Sequence, residues 1–166
     1  MPDILGYLLF SALVGGIATG FMDLWAFARL RLLNSPSLDY GLVGRWLGYV
    51  FRGRFFHDPI NASPPLPGER LIGWTAHYLI GIAFAALLLA IWGTDWLDEP
   101  TLGPALMVGL GSVAAPFLVM QPGMGAGVAA CRTPEPGVAR RRSLVTHAVF
   151  GLGLYIGGWI THLLAW

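Results

Sequence analysis

Four stretches of this chain run for about 20 residues, the length a helix needs to cross the hydrocarbon of a bilayer, with almost no charge in them. They cover residues 4–28, 71–92, 102–120 and 143–165, and Asp23 is their only carboxylate. Hydrophobic residues make up 55% of the chain and charged ones 11%, against roughly one quarter charged in a soluble domain. A water-soluble core has no way to hide four such segments. The expected fold is therefore all-α: a polytopic membrane protein with four transmembrane helices in a bundle, forming one membrane domain over residues 1–166. The opening residues carry no positive n-region and no convincing cleavage site, so the first segment is expected to be a retained helix.

The connections set the topology. Every basic side chain is arginine. Six (Arg29, Arg31, Arg45, Arg52, Arg54, Arg70) fall in or beside the loop 29–70, and four (Arg132, Arg140, Arg141, Arg142) in the loop 121–142. The loop between the second and third segments instead carries Asp95, Asp98 and Glu99. Arginine-rich loops stay in the cytoplasm, so four helices place both arginine loops there and both termini outside.

Small residues indicate how the helices meet. Gly15, Thr19 and Asp23 share a face of the first helix beside the pair Gly16/Gly20, and Gly73, His77, Gly81 and Ala85 recur every four residues on the second. Gly153/Gly157 form a similar pair on the fourth. Small residues let helix backbones approach in lipid, within one chain or between copies, so a homo-oligomer through such faces is an expectation. In the long first loop, Ser37 is expected to cap an amphipathic helix running to about Phe51 and lying among the headgroups. Gly41, Arg45, Gly48 and Arg52 form its small or basic stripe, opposite Leu42, Val43, Trp46, Leu47, Val50 and Phe51. Pro116 is expected to kink the third helix and free the carbonyl of Ser112.

Three helices carry an ionisable group at similar depth. At about 1.5 Å per residue, Asp23 lies roughly 9 Å, His77 roughly 10 Å and His147 roughly 7 Å inside the arginine-marked boundary. Gln121 closes the third helix on the same side, whereas His162 lies at the opposite rim. Ionisable residues inside a membrane mark functional sites by default. Asp23, His77, His147 and Gln121 are thus the candidate binding site of a small-solute or ion translocator. Arg45, Arg52, Arg54, His57, Asp58, Glu69, Arg70 and Arg132 would form its polar mouth or hold lipid headgroups, anionic ones above all. Two other readings share these residues. His77 and His147 could ligate haem iron or a metal, or the polar groups could only fix helix packing in a non-catalytic accessory subunit.

Other classes find less support. No HExxH, GxSxG or CxxC is present, and no constellation names a nucleophile or base, so the reading leans away from an enzyme. Neither arginine block makes a basic face large enough for nucleic acid. Cys131 is the only cysteine, which excludes an intramolecular disulfide. The glycine-rich run Gln121–Gly127 lacks the lysine and hydroxyl residue of a phosphate loop. Pro65-Leu-Pro-Gly68 before the second helix and Pro134-Glu-Pro-Gly137 before the fourth echo one another. Such an echo would relate two helix–loop–helix halves by a pseudo-two-fold axis along the membrane normal.

At Met22-Asp-Leu-Trp25, Leu42-Val-Gly-Arg-Trp46, Gly53-Arg-Phe-Phe-His-Asp58, Pro67-Gly-Glu-Arg70, Ala76-His-Tyr78 and Gln121-Pro-Gly-Met-Gly-Ala-Gly127, the chain resembles domain-of-unknown-function family 2938, a family of bacterial membrane proteins. The likeness extends through Arg132-Thr-Pro134 and the His147 helix, with Cys131 standing where a small hydroxyl residue is expected. It implies a multi-pass protein of the bacterial inner membrane, with periplasmic termini on the topology above. It implies no activity and no cofactor.

Overall fold

The computed structural model describes residues 3–35 and 38–165. Five helices carry the fold, and the described residues contain no strand. They are α1 (Ile4–Leu33), α2 (Tyr40–Val50), α3 (Glu69–Trp92), α4 (Leu102–Gly123) and α5 (Pro136–Ala165). All except α2 are long and apolar enough to cross a membrane.

The helix ends follow local chemistry. Asp3 caps α1, its carboxylate accepting the Gly6 N–H at 2.8 Å. α1 runs five residues past the expected Ala28, to Leu33, because arginine is a good helix former and its long stem carries the charge beyond the apolar layer. α5 likewise starts before its apolar run, at Pro136, where proline suits a first turn. The expected cap of α2, Ser37, lies outside the described residues. The observed cap is Asp39, whose carboxylate accepts the Gly41 N–H at 2.8 Å.

Pro116 interrupts α4. Without an N–H, and with its ring directed at the carbonyl four residues back, it ends the regular helix at Gly111. The chain resumes as a π-turn over Pro116–Met120, with the Gln121 N–H reaching back five residues to the Pro116 carbonyl. Gln121–Gly123 is still helical, so the glycine-rich break begins only after Gly123.

The chain divides into two compact units. The first comprises Met1–Ser37, Tyr78–Ser112 and Val145–Trp166. Its core is Val14, Ala18, Ala85, Leu88, Leu89, Ala105, Val108, Phe150 and Leu154, closed by Trp96 and Leu97 from the acidic loop. Glycine contacts set the helix spacing. A Cβ on Gly15 would lie 2.5 Å from the Ile82 Cα, and one on Gly157 2.9 Å from the Val14 carbonyl oxygen. Gly109 and Gly151 meet backbone to backbone, and Gly81 lies directly on the Thr19 hydroxyl. Gly16, the expected partner in close packing, has open space beside it, so the contact face of α1 is the Gly15/Thr19 stripe. Two buried hydroxyls in this unit return to their own helix, Ser11 donating to the Tyr7 carbonyl at 2.8 Å and Thr19 to the Gly15 carbonyl at 2.7 Å. An apolar solvent offers them no other partner.

The second unit comprises Leu38–His77 and Val113–Leu144. Here α2 lies against the first turns of α3. Gly44 faces the Glu69 carbonyl and the Gly73 N–H, and Gly73 in turn faces the Tyr40 carbonyl. Gly41, Arg45 and Gly48 of the small and basic stripe pack against protein, while Arg52, beyond the helix end, is exposed. Leu42, Leu47 and Val50 are only half-buried, and Phe51 is exposed. Val43, of the same apolar set, is buried, and the others form an outward apolar face that suits lipid better than water.

The neighbours Gly15 and Gly16 provide a direct test. Gly15→Ala must push apart two helix backbones and should cost about 1–3 kcal/mol of stability, as overpacking does. Gly16→Ala should be neutral or slightly stabilising, since alanine is the better helix former. Thermal unfolding of both variants in detergent measures the difference, and equal effects would contradict the packing described.

Candidate functional site

Asp23, His77 and His147 each lie beside a hydroxyl from elsewhere in the chain. In the first unit, Tyr78 of α3 donates from its hydroxyl to the Asp23 carboxylate of α1 at 3.0 Å. Asp23 is half-buried. Also in this unit, the Ser112 hydroxyl lies 2.7 Å from His147 Nδ1 and 2.6 Å from the Gly109 carbonyl oxygen. A serine has one proton to give. Donated to Gly109, it leaves the Ser112 oxygen to accept from an Nδ1–H; turned to His147, it donates to a bare Nδ1. His162 is engaged at the acidic loop, where its Nδ1 lies 3.0 Å from the Leu97 carbonyl oxygen.

In the second unit, His77 Nε2 lies 3.0 Å from the Tyr40 hydroxyl. The two rings also stack, with centroids 4.2 Å apart, and the Trp74 ring stands edge-on to the imidazole at 5.8 Å. Gln121 is half-buried, and its Oε1 is buried without a hydrogen-bond partner.

The strongest polar contact of the second unit is Arg45–Glu69. Arg45 Nε and Nη2 donate to the two carboxylate oxygens of Glu69, both at 2.8 Å. Arg45 Nη1 donates to the Ser63 carbonyl at 3.0 Å, and Glu69 Oε2 also accepts the Leu66 N–H at 2.9 Å. The two side chains are 11% and 17% exposed. Hydrogen bonding to the Glu69 carboxylate holds the Arg45 guanidinium above its ordinary, already high pKa. Such a two-pronged pair fixes geometry as well as charge. It joins α2 to the start of α3.

A second junction joins the loop to the end of α4. The His57 and Ile60 N–H groups donate to the carbonyls of Gly123 and Met124 at 2.9 and 3.0 Å. His57 is 5% exposed, with Nδ1 3.4 Å from the Gly123 carbonyl oxygen and Nε2 buried without a partner. Only glycine fits at 123, which lies under the Trp46 indole, and Gly125 takes φ +96° against the backbone at His57. The remaining mouth residues Arg52, Arg54, Asp58, Arg70 and Arg132 are exposed. Among the described residues, no three His, Cys, Asp or Glu side chains are grouped so as to hold a metal ion.

Sequence reasoning placed the ionisable residues on the correct kinds of element but did not find Tyr40, Tyr78 and Ser112 as their partners. A signal existed for two of them. Tyr78 follows His77 directly, and Ser112 lies four residues before Pro116, where a helix break exposes polar groups.

The chain belongs to the family described as "Protein of unknown function (DUF2938)", whose model matches residues 12–161. No curated protein and no solved structure matches it. Four of the segments that carry the resemblance converge in the second unit: Arg45 and Trp46, His57, Glu69, and Gly123 with Gly125.

Arg45→Met should cost about 1–3 kcal/mol, the worth of hydrogen bonds to a charged group. Glu69→Gln should cost less on that background than alone, with a coupling of about 1 kcal/mol or more. A double-mutant cycle on thermal unfolding reads this coupling. Additive losses would mean that the pair does not tie the two helices.

Proposed function

We propose that this protein resides in the bacterial inner membrane and binds and translocates a small solute or ion, using Asp23, His77 and His147 as protonatable intramembrane groups. The observation that carries the reading is the hydroxyl partner each of them has: Tyr78 for Asp23, Tyr40 for His77 and Ser112 for His147. A hydroxyl both donates and accepts. It can turn to follow a proton onto or off a histidine, where a fixed donor would have to break its bond. Histidine is the side chain suited to proton exchange near neutral pH, and ionisable groups inside apolar helices are rarely kept without a role. The arginine distribution supports cytoplasmic loops at 29–70 and 121–142, with both termini periplasmic. On this reading Gln121 and the exposed arginines Arg52, Arg54, Arg70 and Arg132 border the cytoplasmic entrance.

Purified protein in vesicles holding a pH-sensitive dye tests the proposal. Under an imposed potassium diffusion potential, the wild type should move protons faster than protein-free vesicles. Asp23→Asn, His77→Ala and His147→Ala should each fall toward that background while retaining the wild-type unfolding temperature within a few degrees, about 1 kcal/mol. Three folded variants with undiminished flux would refute the site.

A further inference from the structure

The turn that follows α2 displays its bulky apolar side chains instead of hiding them. Phe51, Phe55 and Phe56 are 85%, 54% and 73% exposed, with the exposed arginines Arg52 and Arg54 between them. The turn is nevertheless well formed. The Arg52 and Arg54 N–H groups donate to the Tyr49 carbonyl and the Gly53 N–H to the Val50 carbonyl, each at 2.9 Å, and Gly53 supplies the left-handed φ of +78°. The Trp46 indole N–H donates to the Phe55 carbonyl at 2.9 Å, and the Arg54 guanidinium lies over the Tyr49 ring at 5.6 Å. Three phenylalanines held outward by an ordered backbone call for an apolar partner.

The same unit fixes where this turn lies along the spanning helices. Its α2 side is tied by Arg45–Glu69 to the first turn of α3, and its far side by His57–Gly123 to the last turn of α4. Both anchor points are ends of membrane-length helices. Phe56 directly precedes the residue that bonds Gly123, so it stands within a few ångströms of the level at which an apolar helix ends. Charge selects among surfaces. Glu69 neutralises Arg45, but among the described residues no salt bridge engages Arg52 or Arg54, and Asp58 is the one acidic side chain in the 51–58 stretch.

We propose that Phe51–Phe56 is an interfacial anchor for anionic lipid, with its phenylalanines at the boundary of the acyl chains and Arg52 and Arg54 on headgroup phosphates. Alternating aromatic and basic residues are the chemistry of such anchors. The anchor rests on the membrane-spanning reading and specifies where the long loop meets the bilayer. It would hold the loop against the surface beside the helix ends that it ties together.

The test uses full-length protein in nanodiscs, with Cys131→Ser and either Phe56→Cys or Leu79→Cys carrying an environment-sensitive fluorophore. Leu79 is exposed on α3. Brominated acyl chains should quench both labels. The Phe56 label should be quenched more when phosphatidylglycerol is mixed into phosphatidylcholine, and Arg52→Glu with Arg54→Glu should reduce that gain about fivefold or more. Quenching at Leu79 without quenching at Phe56 overturns the anchor and leaves the spanning reading intact. No quenching at either position overturns both. Quenching at Phe56 that requires two copies per disc overturns the lipid assignment in favour of a contact between copies.

Discussion

This fold depends on helix backbones that approach until one occupies the space of another's missing Cβ. Between apolar helices in an apolar solvent, hydrophobic burial provides little drive, and association relies on close packing and hydrogen bonds. The chain uses glycine for this in both units. In the first, Gly15 meets Ile82, Gly109 meets Gly151, and Gly157 meets Val14. In the second, Gly44 and Gly73 bring α2 onto the first turns of α3. Glycine, costly in a helix exposed to water, is tolerated at these positions because it removes an obstacle between two backbones.

Once helices approach so closely, polar groups need partners inside the protein. The first unit turns the Ser11 and Thr19 hydroxyls back onto their own helix and meets Asp23 and His147 with Tyr78 and Ser112. The second unit concentrates charge instead, with the Arg45–Glu69 pair 24 positions apart in sequence and joined by two bonds of 2.8 Å. Around it, Trp46, His57, Gly123 and Gly125 lock the long loop onto the end of α4. These residues come from the segments that carry the family resemblance, and they build a loop architecture in this chain.

The sequence revealed most where a single segment decides the outcome. Apolar runs identify the four long helices, and Pro116 identifies the break in α4, because both effects act within a few residues. Helix ends were shorter in the reading than in the structure, since arginines at 29, 31 and 140–142 extend helices while resembling loop. The contact face of α1 was only partly legible. Gly15 and Gly16 are equally small, and their different roles depend on what stands opposite. Arg45–Glu69 and His57–Gly123 were not legible, because they join segments 24 and 66 residues apart whose approach no local pattern encodes. His57, read as part of a polar mouth, is buried and fixes the loop. Tyr40, whose hydroxyl meets His77, gave no sign of its role beyond standing near the start of an amphipathic helix.

The proposed function requires that water or solute reach the ionisable groups in the apolar helices, which would otherwise be polar fastenings between helices. Water-to-imidazole magnetisation transfer, measured by solid-state nuclear magnetic resonance on histidine-labelled protein in bilayers, addresses this directly. Rapid transfer from water to the ring N–H groups of His77 and His147 is expected, reduced when Tyr40→Phe and Ser112→Ala remove the hydroxyl partners. Rings that receive no magnetisation from water in a folded, bilayer-embedded protein would contradict the proposed function and leave the polar groups as packing devices.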